Sequence, residues 1–192
     1  MKRVVIVHGW DGSPATDWLP WVKSELERHG FDVLVPEMPN ASEPVIEEWV
    51  GKLTEVVNTP DINTYFIGHS IGCQAILRYV ENIETQVGGA VFVAGWFDLE
   101  NLEDQEVEEI AQPWIERPID LISVNDSLPH STLIISDNDP YGAFDFNVSK
   151  FEEINSSIVV MPEAGHLTGE DGYQELPEVL DELGKLISFR DE

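Results

Sequence analysis

Residues 65–74 read YFIGHSIGCQ. An apolar run ends in Gly68-His69-Ser70-Ile71-Gly72, after which the pattern turns helical. The pentapeptide fits G-x-S-x-G, a motif that carries meaning when it joins a strand to a helix. The serine is a turn residue, a helix cap or a nucleophile. A nucleophile on so sharp a turn sits in strained backbone geometry, where bulky neighbours two residues to either side collide. Glycine at 68 and 72 removes the collision. A helix starting near Ile71 adds free N–H groups and a positive dipole end. The pentapeptide alone leaves the helix-cap reading open.

Outward from this stretch, six segments read as strands: Val4–Val7, Asp32–Val35, Thr64–Ile67, Ala90–Ala94, Leu133–Ile135 and Ile158–Met161. Several are continuous apolar runs, as parallel strands covered on both faces are. Between them, helical patterns are predicted over Asp17–His29, Glu43–Val57, Ile71–Asn82, Phe144–Ile154 and Tyr173–Ser188. Trp18, Val22 and Leu26 keep helical spacing in the first, as do Leu176, Leu180, Leu183 and Ile187 in the last. Alternating strand and helix predict an α/β fold: three α/β/α layers around a mostly parallel six-stranded sheet. No linker or repeat divides residues 1–192, so one compact domain is expected. The least regular stretch, 97–131, holds an acidic helix candidate followed by Pro113-Trp114 and Arg117-Pro118. At the carboxyl edge of such a sheet it is either a small lid or a surface connection.

Composition narrows the function classes. The chain has 192 residues, 37 acidic against 10 basic, for a net charge of −27. Nucleic acid and anionic membranes are repelled by such a surface. The charge fits a salt-rich cytosol that screens self-repulsion, or equally an acidic protein kept soluble by it. Runs such as Glu100–Glu109 and Glu163–Asp171 read as solvated faces. The first residues lack a secretory apolar region, and no run reaches the ~18 apolar residues of a membrane span. With a lone Cys73 no internal disulfide framework exists. A soluble, cytoplasmic protein is expected.

A serine hydroxyl needs a base, and the base an orienting carboxylate, in the chain order Ser, acid, His. Ser136-Asp137-Asn138-Asp139-Pro140-Tyr141 follows the fifth strand and Ala164-Gly165-His166-Leu167 the sixth. Ser70, Asp139 and His166 are the candidate catalytic residues, with Asp137 competing for the carboxylate role. Pro140 biases Asp139 to an extended backbone. His69 and His8 read as structural, His29 and His130 as solvent-facing. An oxyanion needs two donors: the N–H of Ile71, directly after the serine, and that of Trp10 in His8-Gly9-Trp10-Asp11-Gly12. Trp10, Trp96, Phe97, Trp114 and Tyr141 fall near predicted loop ends and are candidates for an apolar pocket. Cys73 reads as buried packing. The histidines are scattered, and no metal or phosphate-loop pattern appears; no cofactor is expected.

These residues together resemble the α/β-hydrolase superfamily, and within it the small serine hydrolase family of retinoblastoma-binding protein 9 and bacterial YdeN-type proteins. The resemblance takes in the first-strand loop, DWLPWVKSEL, Met38-Pro39, the elbow, Asn138-Asp139-Pro140-Tyr141 and Gly165-His166. It implies the same triad, a compact fold without a large cap, and hydrolysis of a small-molecule ester. Family members often carry a small residue where Ile71 stands. The L-x-C-x-E element associated with retinoblastoma protein is missing around Cys73, so that partner is not expected. A different class of reading keeps the fold but makes the triad vestigial, with the acidic face at Glu100–Glu109 binding a basic protein.

Overall fold

A computed structural model describes residues 1–102 and 105–191. In chain order the elements are β1 (Arg3–Val7), α1 (Leu19–Arg28), β2 (Asp32–Leu34), α2 (Ile46–Val57), β3 (Thr64–His69), α3 (Ile71–Val80) and β4 (Gly89–Val93). There follow α4 (Gln105–Glu116), α5 (Leu121–Ser127), β5 (Ser131–Ser136), α6 (Phe144–Glu153), β6 (Ser156–Met161) and α7 (Pro177–Asp191). The strands form one sheet in the order β2-β1-β3-β4-β5-β6, and every pairing is parallel. This is the three-layer α/β hydrolase architecture expected from the sequence, with no large cap among the described residues.

The period of two in the strands builds the layers. Val4 and Ile6 of β1 point into a core with Trp18, Leu19 and Val22 of α1 and Val179 and Leu183 of α7. Val5 and Val7 point the other way, among Trp49 and Leu53 of α2, Ile76 of α3 and Phe151 of α6. Both faces are dry, which explains the unbroken apolar runs. Between β1 and β3 the strand order reverses direction, so the loops leaving those two strands diverge and open a crevice at the carboxyl edge.

Element boundaries differ from expectation where one residue's backbone decides. Asp17 has φ 54, so α1 starts at Leu19, with Pro20 in its first turn. Pro44 disfavours helical geometry at Glu43, and α2 starts at Ile46 after an extended Val45. Ala94, at φ 48, ends β4 one residue early. Pro177 rather than Tyr173 opens α7. The stretch 97–131 holds two helices, α4 and α5, and α4 runs through Pro113 instead of stopping there. Trp114 anchors it, buried against Trp49 and donating from Nε1 to Pro44 O at 2.9 Å. Within the acidic run Glu100–Glu109, Glu103 and Asp104 lie outside the described residues. Among the described residues no helix is long and apolar enough to cross a membrane.

Candidate active site

Ser70 sits between β3 and α3 with φ 53 and ψ −122, a region that L residues occupy only when the surroundings hold them. Its N–H donates to Val93 O at 2.9 Å, and its carbonyl accepts from Cys73 N. The flanking glycines answer close approach on two sides. A Cβ on Gly72 would stand 2.5 Å from Val7 O and 2.7 Å from His8 O, and one on Gly68 would stand 2.9 Å from Cys73 Cα. The elbow is thus wedged between β1 and the first turn of α3.

His166 lies in the loop after β6, and its Nδ1–H donates to Asp139 Oδ2 at 2.7 Å. The other oxygen of Asp139 accepts from Tyr141 N–H at 3.0 Å, so both carboxylate oxygens are engaged. The Asp139 side chain is 6% exposed and that of His166 14%, which shields the pair from water. Asp137 is engaged elsewhere, its Oδ1 accepting from Glu163 N at 2.7 Å. Ser136 Oγ takes Ala164 N–H, and Asn138 Oδ1 takes Gly165 N–H. Together these bonds stitch the Asp139 loop to the His166 loop.

The backbone around His166 is clamped by residues that sequence reasoning missed or read otherwise. Asp171 Oδ2 accepts from His166 N–H, Thr168 N–H and Thr168 Oγ. Burial alone would raise its pKa, but the bonds from Thr168 and His166 outweigh it and hold the carboxyl below its ordinary value. Asp171 belongs to the run Glu163–Asp171 expected as a solvated face, yet its carboxylate is turned onto the loop backbone. Trp18 Nε1 donates to Leu167 O, and Asp17 Oδ1 accepts from Gly169 N–H. His69 Nε2–H donates to His166 O at 3.1 Å; a carbonyl only accepts, which leaves Nδ1 bearing the lone pair. Burial, then the neighbouring His166, lower the His69 pKa to about 4. Only Gly165-His166 with an acid five residues on could have signalled this clamp.

The first-strand loop is held by a buried His8, whose Nδ1–H donates to Gly9 O while Nε2 accepts from Met38 N–H. Burial pushes the His8 pKa down and keeps it neutral. Trp10 is fixed by Nε1–H to Ser42 O at 2.9 Å. A cavity of about 290 Å³ opens here, lined by Trp10, Ser70, Trp96, Tyr141 and His166, with Leu99, Leu102 and Val107 contributed by the irregular stretch. That stretch therefore forms part of the pocket wall. Trp114 does not: in the last turn of α4 it packs inward against Trp49, away from this cavity. Phe97 likewise packs on Phe151. Cys73 is buried, with its thiol pKa raised by desolvation and Sγ directed to Val93 O, so it packs and is unreactive. His29 and His130 are exposed. Among the described residues no cluster of His, Cys, Asp and Glu could hold a metal ion.

Sheet order, strand-to-helix elbow and an imidazole paired with a carboxylate define the class as α/β hydrolase. The serine hydrolase family profile matches residues 4–185, and the chain belongs to that family. A hydrolase designated YdeN from Bacillus subtilis is 32% identical over 189 residues, 97% of each chain. The crystal structure of the B. subtilis ydeN product superposes with a TM-score of 0.89 at 28% identity, covering 98% of this chain and all of that one. The serine hydrolase RBBP9 of Rattus norvegicus is 25% identical over 175 residues, 90% of each chain. Est1E from Butyrivibrio proteoclasticus, solved with ferulic acid, shares the fold at a TM-score of 0.72 and 13% identity, covering 99% of this chain and 88% of that one. The protein is a serine hydrolase.

Proposed function

We propose that the enzyme cleaves small carboxylic esters through an acyl-enzyme formed on Ser70. The observation that carries this reading is the 2.7 Å Asp139–His166 bond beside a serine held at φ 53 in the same cavity. Ser70 Oγ attacks the ester carbonyl while His166 Nε2 takes its proton. Asp139 keeps the imidazole in the tautomer with Nδ1–H and stabilises the imidazolium. The N–H groups of Ile71 and Trp10 receive the oxyanion. The C–O bond to the leaving alcohol then breaks as His166 returns the proton to it. Water, deprotonated by His166, attacks the acyl-enzyme and releases the acid and Ser70.

A cavity of about 290 Å³ lies at the small end of ligand pockets, ~300–1,000 Å³, and supports short acyl groups. Asp11 and Asp17 on its wall disfavour anionic substrates. A reducing, cytoplasmic setting agrees with the single buried thiol. The test is a series of p-nitrophenyl esters from acetate to decanoate beside the matching anilides. Turnover should peak at acetate or butyrate, fall steeply by octanoate and vanish in Ser70→Ala. Anilide hydrolysis faster than ester hydrolysis, or equal rates in Ser70→Ala, would overturn the proposal.

A further inference from the structure

α3 carries a second feature beyond the elbow. Gln74 and Arg78, one turn apart, are each only 1% exposed. Gln74 Nε2 donates to Trp96 O at 2.9 Å; because that acceptor is a carbonyl, the amide orientation is set and Oε1 is left over. Arg78 Nη2 donates to Trp114 O and Arg117 O, both at 2.8 Å, and so caps the closing carbonyls of α4. Gln74 Oε1, Arg78 Nε and Arg78 Nη1 are buried and meet no hydrogen-bonding partner among the described residues. Glu81 and Glu47 act on the guanidinium only as charges without a hydrogen bond, and burial lowers its pKa to about 10. Buried donors on a charged group are costly when unmet, more so than neutral ones.

Gln74 and Arg78 line one cavity of about 210 Å³ together with Phe97, Trp114, Ile119 and Phe146, and with Arg117 and Lys150. Three of the chain's 10 basic residues thus meet in one place on a protein of net charge −27. Arg117 and Lys150 also pair with Glu47 and Glu153. A second groove bordered by Arg78 carries Glu47 and Glu81 on its wall, which excludes an anion there. The volume suits a molecule smaller than a drug-sized ligand.

We propose that this cavity binds a small carboxylate bearing a hydroxyl on a flat apolar body. A carboxylate oxygen accepts from Nη1 of Arg78, the hydroxyl donates to Gln74 Oε1, and the apolar body packs among Phe97, Trp114 and Phe146. The cavity shares no residue with the Ser70 pocket, yet it is tied to it twice. Gln74 holds the carbonyl of Trp96, and Arg78 holds the end of α4, whose Val107 lines the Ser70 pocket.

The experiment is calorimetric titration of Ser70→Ala protein with mandelate, phenylacetate and benzyl alcohol at constant ionic strength. Mandelate should bind one to one with a dissociation constant of about 1 mM or tighter. Phenylacetate, lacking only the hydroxyl, should bind about fivefold more weakly, and benzyl alcohol not measurably. Ile119→Trp fills the cavity from an apolar wall position and should abolish binding. Gln74→Leu should bring mandelate down to the phenylacetate level. Arg78→Lys should lose binding at least about tenfold; because Arg78 also caps α4, the first two variants decide the matter if it does not fold. No mandelate binding up to about 10 mM would mean that water meets these atoms, and the proposal falls. It falls equally if Ile119→Trp binds as wild type does, or if benzyl alcohol binds as tightly as mandelate.

Discussion

Replacing Asp139 with asparagine tests how the carboxylate acts on His166. Asp139 Oδ2 accepts from His166 Nδ1–H at 2.7 Å, and Oδ1 accepts from Tyr141 N–H at 3.0 Å. An asparagine in this place has one orientation open to it. Its oxygen must face Tyr141 N–H, so its NH₂ group faces His166 Nδ1. Nδ1 then has to accept, the ring proton moves to Nε2, and Nε2 can no longer take the proton of Ser70. The wrong tautomer of an otherwise intact triad reduces turnover by about 10³–10⁴-fold, or ~4–5.5 kcal/mol at ~1.36 kcal/mol per tenfold. The assay is kcat/KM on p-nitrophenyl acetate, with the thermal midpoint recorded alongside. Asp137→Asn is the control: its oxygen can still accept from Glu163 N–H, and activity should stay within about twofold. A folded Asp139→Asn enzyme that loses less than about tenfold, or an equal loss in Asp137→Asn, would refute the tautomer argument.

Other outcomes follow from the elbow and the clamp. Gly72→Ala puts a Cβ 2.5 Å from Val7 O and should destabilise by about 3 kcal/mol in urea titration. Gly51→Ala in α2 meets nothing within 4 Å and should stabilise by about 0.5–1 kcal/mol. Asp171→Ala removes the acceptor for His166 N–H and should lower kcat by about 10–100-fold with KM nearly unchanged. Asp171→Asn, which can keep that acceptor, should recover most of the loss. His69 has a folded pKa of about 4 against an ordinary 6.5. Its neutral form is the one that folds, so its contribution is complete above about pH 6.5 and is lost as the pH falls toward 4. His69→Gln should flatten the denaturation midpoint across that window, whereas an unchanged slope would contradict the assignment.

Much of this was legible because periodicity and chemistry coincide. Val4 to Val7 alternate between two cores, so a continuous apolar run announces a strand covered on both faces. The elbow glycines, the order Ser70, Asp139, His166 and the strand ends that carry them can all be read along the chain. What escapes depends on backbone states that side chains do not advertise. Asp17 at φ 54 and Ala94 at φ 48 set boundaries that hydrophobic spacing cannot see. Pro113 looks like a terminator, but burial of Trp114 on the same helix overrides it. Asp171 looks like one more acid in a charged run, because its three donors come from a loop whose fold is a tertiary event. The place of Trp114 in the chain points to the pocket, and the inward face of α4 sends it elsewhere. The unmet atoms of Gln74 and Arg78 have no sequence signature at all.

The proposed mechanism requires an assembled nucleophile at Ser70. Labelling by a fluorophosphonate probe, on wild type and Ser70→Ala at low and at molar salt, reads this out without a substrate. The probe should modify folded wild type, with the adduct mapping to Ser70, and leave Ser70→Ala unmodified. Folded wild type that stays unlabelled at every salt concentration, or a Ser70→Ala protein that labels as strongly, would contradict it.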